Sequence, residues 1–249
     1  MDFGGRKEIF RALVGSTNYN LNTASSDKDY KIFVAPTFED LYCNNIFSKS
    51  YIGKLEDFEC HDIRKVSNLW WKANVNFLEV LFSEECVVNK KLKIDTRMCL
   101  STIFRHRDEI VRMNLPYLYD ACIGMHITKK KQIYKGTEDT QNLVKLYGFD
   151  TKQAMHSIRI LDFLTRFADL NFEDFKKAIW YDNDNPTRVL LLDIKGGKYS
   201  IEEFIDMATI MLELVESQYQ PKYKIQVPNE ETNQHLLRMV KEIIRTELF

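Results

Sequence analysis

Cysteine, glycine and proline are all scarce in this 249-residue chain, which has five Cys, nine Gly and five Pro. With so little Gly and Pro against 45% hydrophobic and 29% charged residues, collagen-like repeats, intrinsic disorder and a low-complexity scaffold are poor fits, and a globular protein is expected. The cysteines (Cys43, Cys60, Cys86, Cys99 and Cys122) are odd in number, scattered and without a CxxC pair. Neither a disulfide framework nor a zinc knuckle is therefore indicated, and a reducing cytoplasm fits best. No apolar run approaches the roughly 18 to 20 residues of a membrane span, so no membrane partner is expected. The opening MDFGGRKEIF lacks the apolar core of a signal peptide, and the protein is expected to stay where it is made. An excess charge of one sign is missing as well. Lys plus Arg (35) nearly cancels Asp plus Glu (36), leaving -1, which argues against a polycation that coats nucleic acid and leaves only local patches for such contacts.

What is present shifts in character along the chain. The first sixty or so residues read as β-rich and nearly everything after Ser67 as helical, which predicts an α+β protein with two lobes, residues 1–95 and 96–249. Ile9 to Val14, closed by Gly15-Ser16, and Tyr30 to Ala35, closed by Pro36, read as short buried strands. A third run, Asp57 to Ile63, alternates, so that Asp57, Glu59 and His61 share one face and Phe58, Cys60 and Asp62 the other. Apolar residues at threes and fours predict a helix, or two short ones, over 65–82, with Asn74 and Asn76 at the break. Further helices are predicted near 96–113, 117–134, 151–170, 201–217 and 231–248, the fourth of these entered through a Ser200–Glu203 capping box.

The chemistry-bearing segment is Val14-Gly15-Ser16 followed by Asp27-Lys28-Asp29-Tyr30. In an extended strand Asp27 and Asp29 project to the same side while Tyr30, Ile32 and Val34 pack inward. Two carboxylates so close repel unless a cation lies between them, and their hard oxygens suit Mg²⁺, which also binds nucleotide phosphates. A third acid from a neighbouring strand would complete a two-metal site; Glu59 is the first choice and Asp57 its nearest competitor. Gly15-Ser16 at a strand-to-helix turn adds close backbone approach, N–H donors and a hydroxyl for phosphate.

The Gly-Ser and Asp-x-Asp arrangement resembles the nucleotidyltransferase superfamily of DNA polymerase beta. More narrowly, it looks like the branch of predicted nucleotidyltransferases sometimes encoded beside RNA ligases. Four segments carry that likeness: Gly15-Ser16-x-x-Tyr19-x-Leu21 with Ser26-Asp27-x-Asp29; Asp62-Ile63-Arg64-Lys65; Asn74-x-Asn76-x-Leu78-Glu79-x-Leu81-Phe82; and Gly148-Phe149-Asp150-Thr151-Lys152-x-Ala154-Met155-His156-x-x-Arg159. The resemblance implies a small mixed-sheet catalytic lobe and a helical lobe closing a nucleotide cleft. It implies two Mg²⁺ or Mn²⁺ ions on Asp27, Asp29 and Glu59, with a nucleoside triphosphate such as ATP as substrate. Where the branch commonly has Gly-Ser-Arg-x-Tyr-Gly, this chain carries Thr17 and Asn20, so one positive charge and one permissive backbone position are missing near the phosphates.

The helix opened by Thr151 adds an independent physical argument. At 100° per residue Lys152, His156, Arg159, Phe163 and Arg166 fall within an arc of roughly 80°. Lys152, His156 and Arg159 are the expected nucleotide ligands alongside Gly15 and Ser16, Phe163 a candidate to stack on a base, and Arg166 is read as ordinary surface. The expected activity is metal-dependent transfer of a nucleoside monophosphate to an acceptor hydroxyl, with an RNA 3′ end favoured and a protein hydroxyl open. The alternatives are a non-catalytic nucleotide- or RNA-binding module and a toxin–antitoxin type enzyme that nucleotidylates a protein. A cytoplasmic site of action is expected, the host's if the source is viral.

Overall fold

The computed structural model describes every residue except Met1, Ser25, Lys54 and Asp139. The chain divides into two compact units, Met1–Asn114 together with Pro228–Phe249, and Leu115–Val227. Both are described below separately. The protein is α+β, as its composition shift predicts.

The first unit holds a five-stranded mixed sheet built from β1 (Glu8–Val14), β2 (Lys28–Val34), β3 (Ser48–Tyr51), β4 (Glu56–Asp62) and β5 (Cys86–Val88), in the order β3-β4-β2-β1-β5. Only β2 and β4 run parallel. The central strand β2 is covered on both faces. Ile32 and Val34 join Cys60 under Phe3, Phe47, Tyr51 and Phe58, while Phe33 on the other face stacks on Phe10 at 4.7 Å and meets the edge of Phe77 at 6.5 Å. Burying each such phenyl contributes about 1.5–3 kcal/mol, and two-sided burial fixes strand register because a one-residue slip would invert both faces.

Helices α1 (Phe38–Tyr42), α2 (Lys65–Trp71), α3 (Val75–Leu78), α4 (Ile94–Arg105), α5 (Arg107–Arg112) and α13 (Glu230–Leu248) complete this unit. The expected break within 65–82 falls at Ala73, which takes φ 47°, and Asn74 caps α3 by accepting the Asn76 N–H at 3.1 Å. The composition shift puts a boundary after residue 95, whereas the compact unit runs on to Asn114 and regains the chain at Pro228. The reason lies in α13: Leu236, Val240 and Ile243 are buried, and Glu247 takes an ion pair from Lys7 at 2.5 Å and a hydrogen bond from the Thr96 hydroxyl at 2.6 Å. The last helix thus seals the strand-bearing unit.

The second unit comprises α6 (Leu115–Gln132), α7 (Gln141–Tyr147), α8 (Thr151–Asp169), α9 (Phe175–Ile179), α10 (Pro186–Lys195), α11 (Ile201–Leu214), a π-helical stretch Val215–Tyr219 and α12 (Gln220–Lys224). Helix α8 is its axis, packed by α6, α10 and α11, and Asp150 caps it by accepting the Gln153 N–H at 3.0 Å. The Ser200–Glu203 capping box opens α11 as expected. Phe163 is no base-stacking platform: it is 1% exposed and packs on Phe167 and Phe175 at 5.6 and 5.3 Å. The arc that put it beside the basic residues is right in angle, but that side of α8 turns into the core by its third turn. Among the described residues no helix is long and apolar enough to cross a membrane.

Candidate functional site

Strand β1 ends at Val14 and is followed by Gly15, whose φ of +72° lies where side chains are disfavoured. The chain then winds a single 3-10 turn, Thr17–Tyr19, with Asn20 also left-handed at φ 58°. The Ser16 carbonyl oxygen accepts the N–H groups of Tyr19 and Leu21 at 3.3 and 2.8 Å. The Gly15 N–H is not held open for a phosphate: it donates to Glu79 Oε2 at 3.0 Å. Gly15 therefore contributes conformation and close approach, since a Cβ built on it would stand 2.5 Å from Asp29 Oδ2. Glu79, 2% exposed, also accepts from Asn18 Nδ2 through both its backbone oxygen and Oε2 at 3.2 Å. Neither Glu79 nor Asn18 was expected as part of the site, although Glu79 stands in one of the four segments that carry the family resemblance.

Register orders the acidic residues into rows. Val14, Asp29 and Asp57 stand level across β1, β2 and β4. Ala12, Lys31 and Glu59 form the next row, and Phe10, Phe33 and His61 the third. Partners in adjacent strands sit about 4.8 Å apart with side chains on a common face. Asp29 and Asp57 are thus immediate neighbours, and exposed Asp27 precedes the first residue of β2. One Asp57 oxygen, Oδ1, accepts the Gly53 N–H at 3.0 Å.

Glu59 lies one row further on and is tied down there. Lys31 donates to it, and His61 Nε2 stands 3.5 Å from its Oε2. The His61 imidazole and the Lys31 ammonium together hold the Glu59 carboxyl down at about 2. Lys31 is itself buried and lies 4.8 Å above the Phe77 ring. Among the described residues, no group of three or more His, Cys, Asp and Glu side chains is gathered closely enough to hold a metal ion. What the sheet presents is an adjacent pair, Asp29 and Asp57, with Asp27 at the strand's mouth. Mg²⁺ keeps several waters and is commonly held by only one or two carboxylates plus substrate phosphates, so this donor set suits it.

In the second unit the three basic residues of α8 differ in burial. Lys152 is exposed, His156 intermediate and Arg159 only 4% exposed. Two further cations join them, Lys129 from α6 and Lys195 at the end of α10; burial first, then the fields of Arg159, Lys129, Lys152 and Lys195, push the His156 pKa well below the usual histidine range. Lys129 is lowered too, by burial and by Arg159. The acids at the borders of this cluster are engaged: Asp150 caps α8 and accepts from Thr140, and Asp162 accepts the Tyr181 hydroxyl at 2.7 Å. Lys129 opens the Lys129-Lys130-Lys131 run, the one sequence signal that could have pointed to it. Arg166 serves the fold, donating to the carbonyl oxygens of Lys177 and Trp180 at 2.8 and 2.6 Å and lying 4.4 Å from the Tyr181 ring centroid.

No family model matches the chain, and no match was found among curated proteins.

Proposed function

We propose that this protein is a metal-dependent nucleotidyltransferase that moves a nucleoside monophosphate from a triphosphate to an acceptor hydroxyl and releases pyrophosphate. The observation that carries the reading is the row Asp29–Asp57 on parallel neighbouring strands, beside a glycine turn shaped around one Asp29 oxygen. Mg²⁺ or Mn²⁺, when bound there, would supply charge neutralisation and a lowered pKa for the acceptor hydroxyl. Asp29 and Asp57, with Asp27, are the residues that would hold it. Glu59, first choice as third acid on the sequence alone, has a different part in this reading: with Lys31 it forms a charge-balanced second row, backed by His61 from the third, that keeps the first row's carboxylates from facing a further unpaired acid.

The chain's own residues then do positional work. Glu79 fixes the Gly15 amide and Asn18, and with them the turn bordering Asp29. Lys129, Lys152, Arg159 and Lys195 form a cation cluster suited to phosphate oxygens. His156 is neutral in that field and offers a hydrogen bond without a fifth charge. RNA 3′ ends are the favoured acceptor class, and the near-zero net charge fits addition of one or a few nucleotides better than processive copying.

The test is incubation with each α-³²P-labelled nucleoside triphosphate, Mg²⁺ or Mn²⁺, and either total RNA or total protein, beside an Asp27→Ala, Asp29→Ala variant. Label on RNA or on a protein band that vanishes in the variant supports transfer and separates the RNA acceptor from the protein-nucleotidylating alternative. Nucleotide binding with no label from any triphosphate would replace the enzyme reading with the binding-module one.

A further inference from the structure

We propose that the cavity between the α4–α5 corner and the first turns of α13 binds a divalent transition-metal ion through the imidazoles of His106 and His235. The cavity, about 320 Å³, lies wholly within the first unit. Its charged and titratable lining is His106, Glu109, Glu231, His235 and Arg238. Helical spacing explains the gathering. His106 is the N-cap residue of α5 with Glu109 three residues on, and in α13 His235 follows Glu231 by four, so each pair brings one imidazole and one carboxylate to the same side.

The two rings stand 5.8 Å apart, centroid to centroid, at 57°. A metal–nitrogen bond of about 2.0–2.1 Å puts a ligating ring's centroid a little over 3 Å from the ion, so one ion shared by two imidazoles separates their centroids by about 5–6 Å. His106 Nδ1 lies 2.9 Å from the Thr102 carbonyl oxygen. Facing a carbonyl, Nδ1 must carry the proton and donate it, which leaves the lone pair on Nε2 and fixes the ring, the outer hydrogen bond typical of a ligating histidine. Two glutamates against one arginine make the cavity favour a cation over an anion. Because no three described side chains are gathered closely enough to hold an ion, the imidazole pair is the protein's direct contact, and water completes the sphere.

Nitrogen donors select Zn²⁺, Ni²⁺ or Cu²⁺, whereas the carboxylate row on the sheet suits Mg²⁺, so the two sites are chemically separable. The cavity adjoins the points where the chain leaves and re-enters the first unit, where the Asn229 N–H donates to the Met113 carbonyl oxygen at 2.7 Å. An ion there ties α13 to the α4–α5 corner and raises the thermal stability of that unit by mass action.

The test uses the full chain, titrated with Zn²⁺ by calorimetry and with Co²⁺ by visible absorption. Wild type is compared with His106→Gln, His235→Gln, His61→Gln and the Asp27→Ala, Asp29→Ala variant, each checked for fold by circular dichroism. With excess Mg²⁺ present to occupy the carboxylate row, one Zn²⁺ or Co²⁺ per chain is expected, without a thiolate charge-transfer band, and with affinity at least about tenfold weaker in each of the first two variants. Affinity should be unchanged in the other two, and the Zn²⁺-induced rise in Tm should disappear with either His106 or His235. The proposal is overturned by equal affinity in His235→Gln, by a thiolate band that moves the ion to a cysteine, or by the absence of binding.

Discussion

The two units handle concentrated charge in opposite ways. At the sheet's end, acids are interleaved with a counterion by strand register, so that the Asp29–Asp57 row is backed by the Lys31–Glu59 pair one row behind. In the helical unit, Lys129, Lys152, Arg159 and Lys195 surround a histidine that responds by staying neutral, while the bordering acids are committed to a helix cap and a tyrosine. A sheet can alternate signs residue by residue along neighbouring strands, whereas a helix face facing two other helices gathers what each contributes.

The sharpest way to break the comparison is to remove the acid that the glycine turn is built around. Asp29→Ala should lower nucleotide transfer by about 10³-fold or more with the fold retained, as expected for loss of a group acting in the transition state. Initial rates of label incorporation, read beside a circular dichroism spectrum, check it; a loss below tenfold would remove Asp29 from the reaction. Next in size is the choice between rows. Asp57→Asn should cost about 10²-fold and Glu59→Gln less than about tenfold, because Glu59 is already neutralised by Lys31 and His61. The reverse order, measured in the same assay, would return Glu59 to the first row's role.

Much of this was legible in the residues. Alternation exposed β4 and the common face of Asp57, Glu59 and His61, and the capping pair Ser200 and Glu203 announced α11. Short elements such as β3, β5, α1, α9 and α12 escaped because three to five residues carry too little periodicity, and their existence depends on tertiary packing. The pairing of Asp29 with Asp57 escaped for a different reason: alternation says which residues share a face but not which stand level, and that offset is decided by the parallel register of β2 on β4. Phe163 shows the converse limit, since helical angle groups residues without saying where along the axis the core begins. Lys129, Lys195 and Glu79 reach their neighbours across long sequence separations, which no local pattern records.

A smaller effect is expected at the turn. Gly15→Ala forces a side chain into a left-handed backbone, at a cost of roughly 1–2 kcal/mol, and presses its methyl toward Asp29 Oδ2. Urea unfolding should report that loss, and transfer should fall about tenfold through the displaced carboxylate. Stability lost with transfer intact would show that the close approach of Gly15 to Asp29 is purely a folding device.

The smallest and most specific prediction concerns acid. His156 stands half-buried among cations, and its folded-state pKa is depressed well below the ordinary value, so between the two values the unfolded chain binds a proton that the folded chain refuses. Stability must then rise with pH across that window, and it is lost as pH falls below the unfolded value near 6.5. The slope is about 1.4 kcal/mol per pH unit while only the unfolded chain is protonated. Chemical denaturation at several pH values should show this limb flattened in His156→Asn, with a remainder from His126, whose pKa is lowered by burial. Inorganic tripolyphosphate supplies the opposing charge directly. If the helical cluster receives phosphate, the His156 ring resonances should titrate at higher pH in its presence, because bound anion cancels the field of Lys129, Lys152, Arg159 and Lys195. An unchanged midpoint would leave those cations a structural group of the second unit and would confine nucleotide recognition to the sheet.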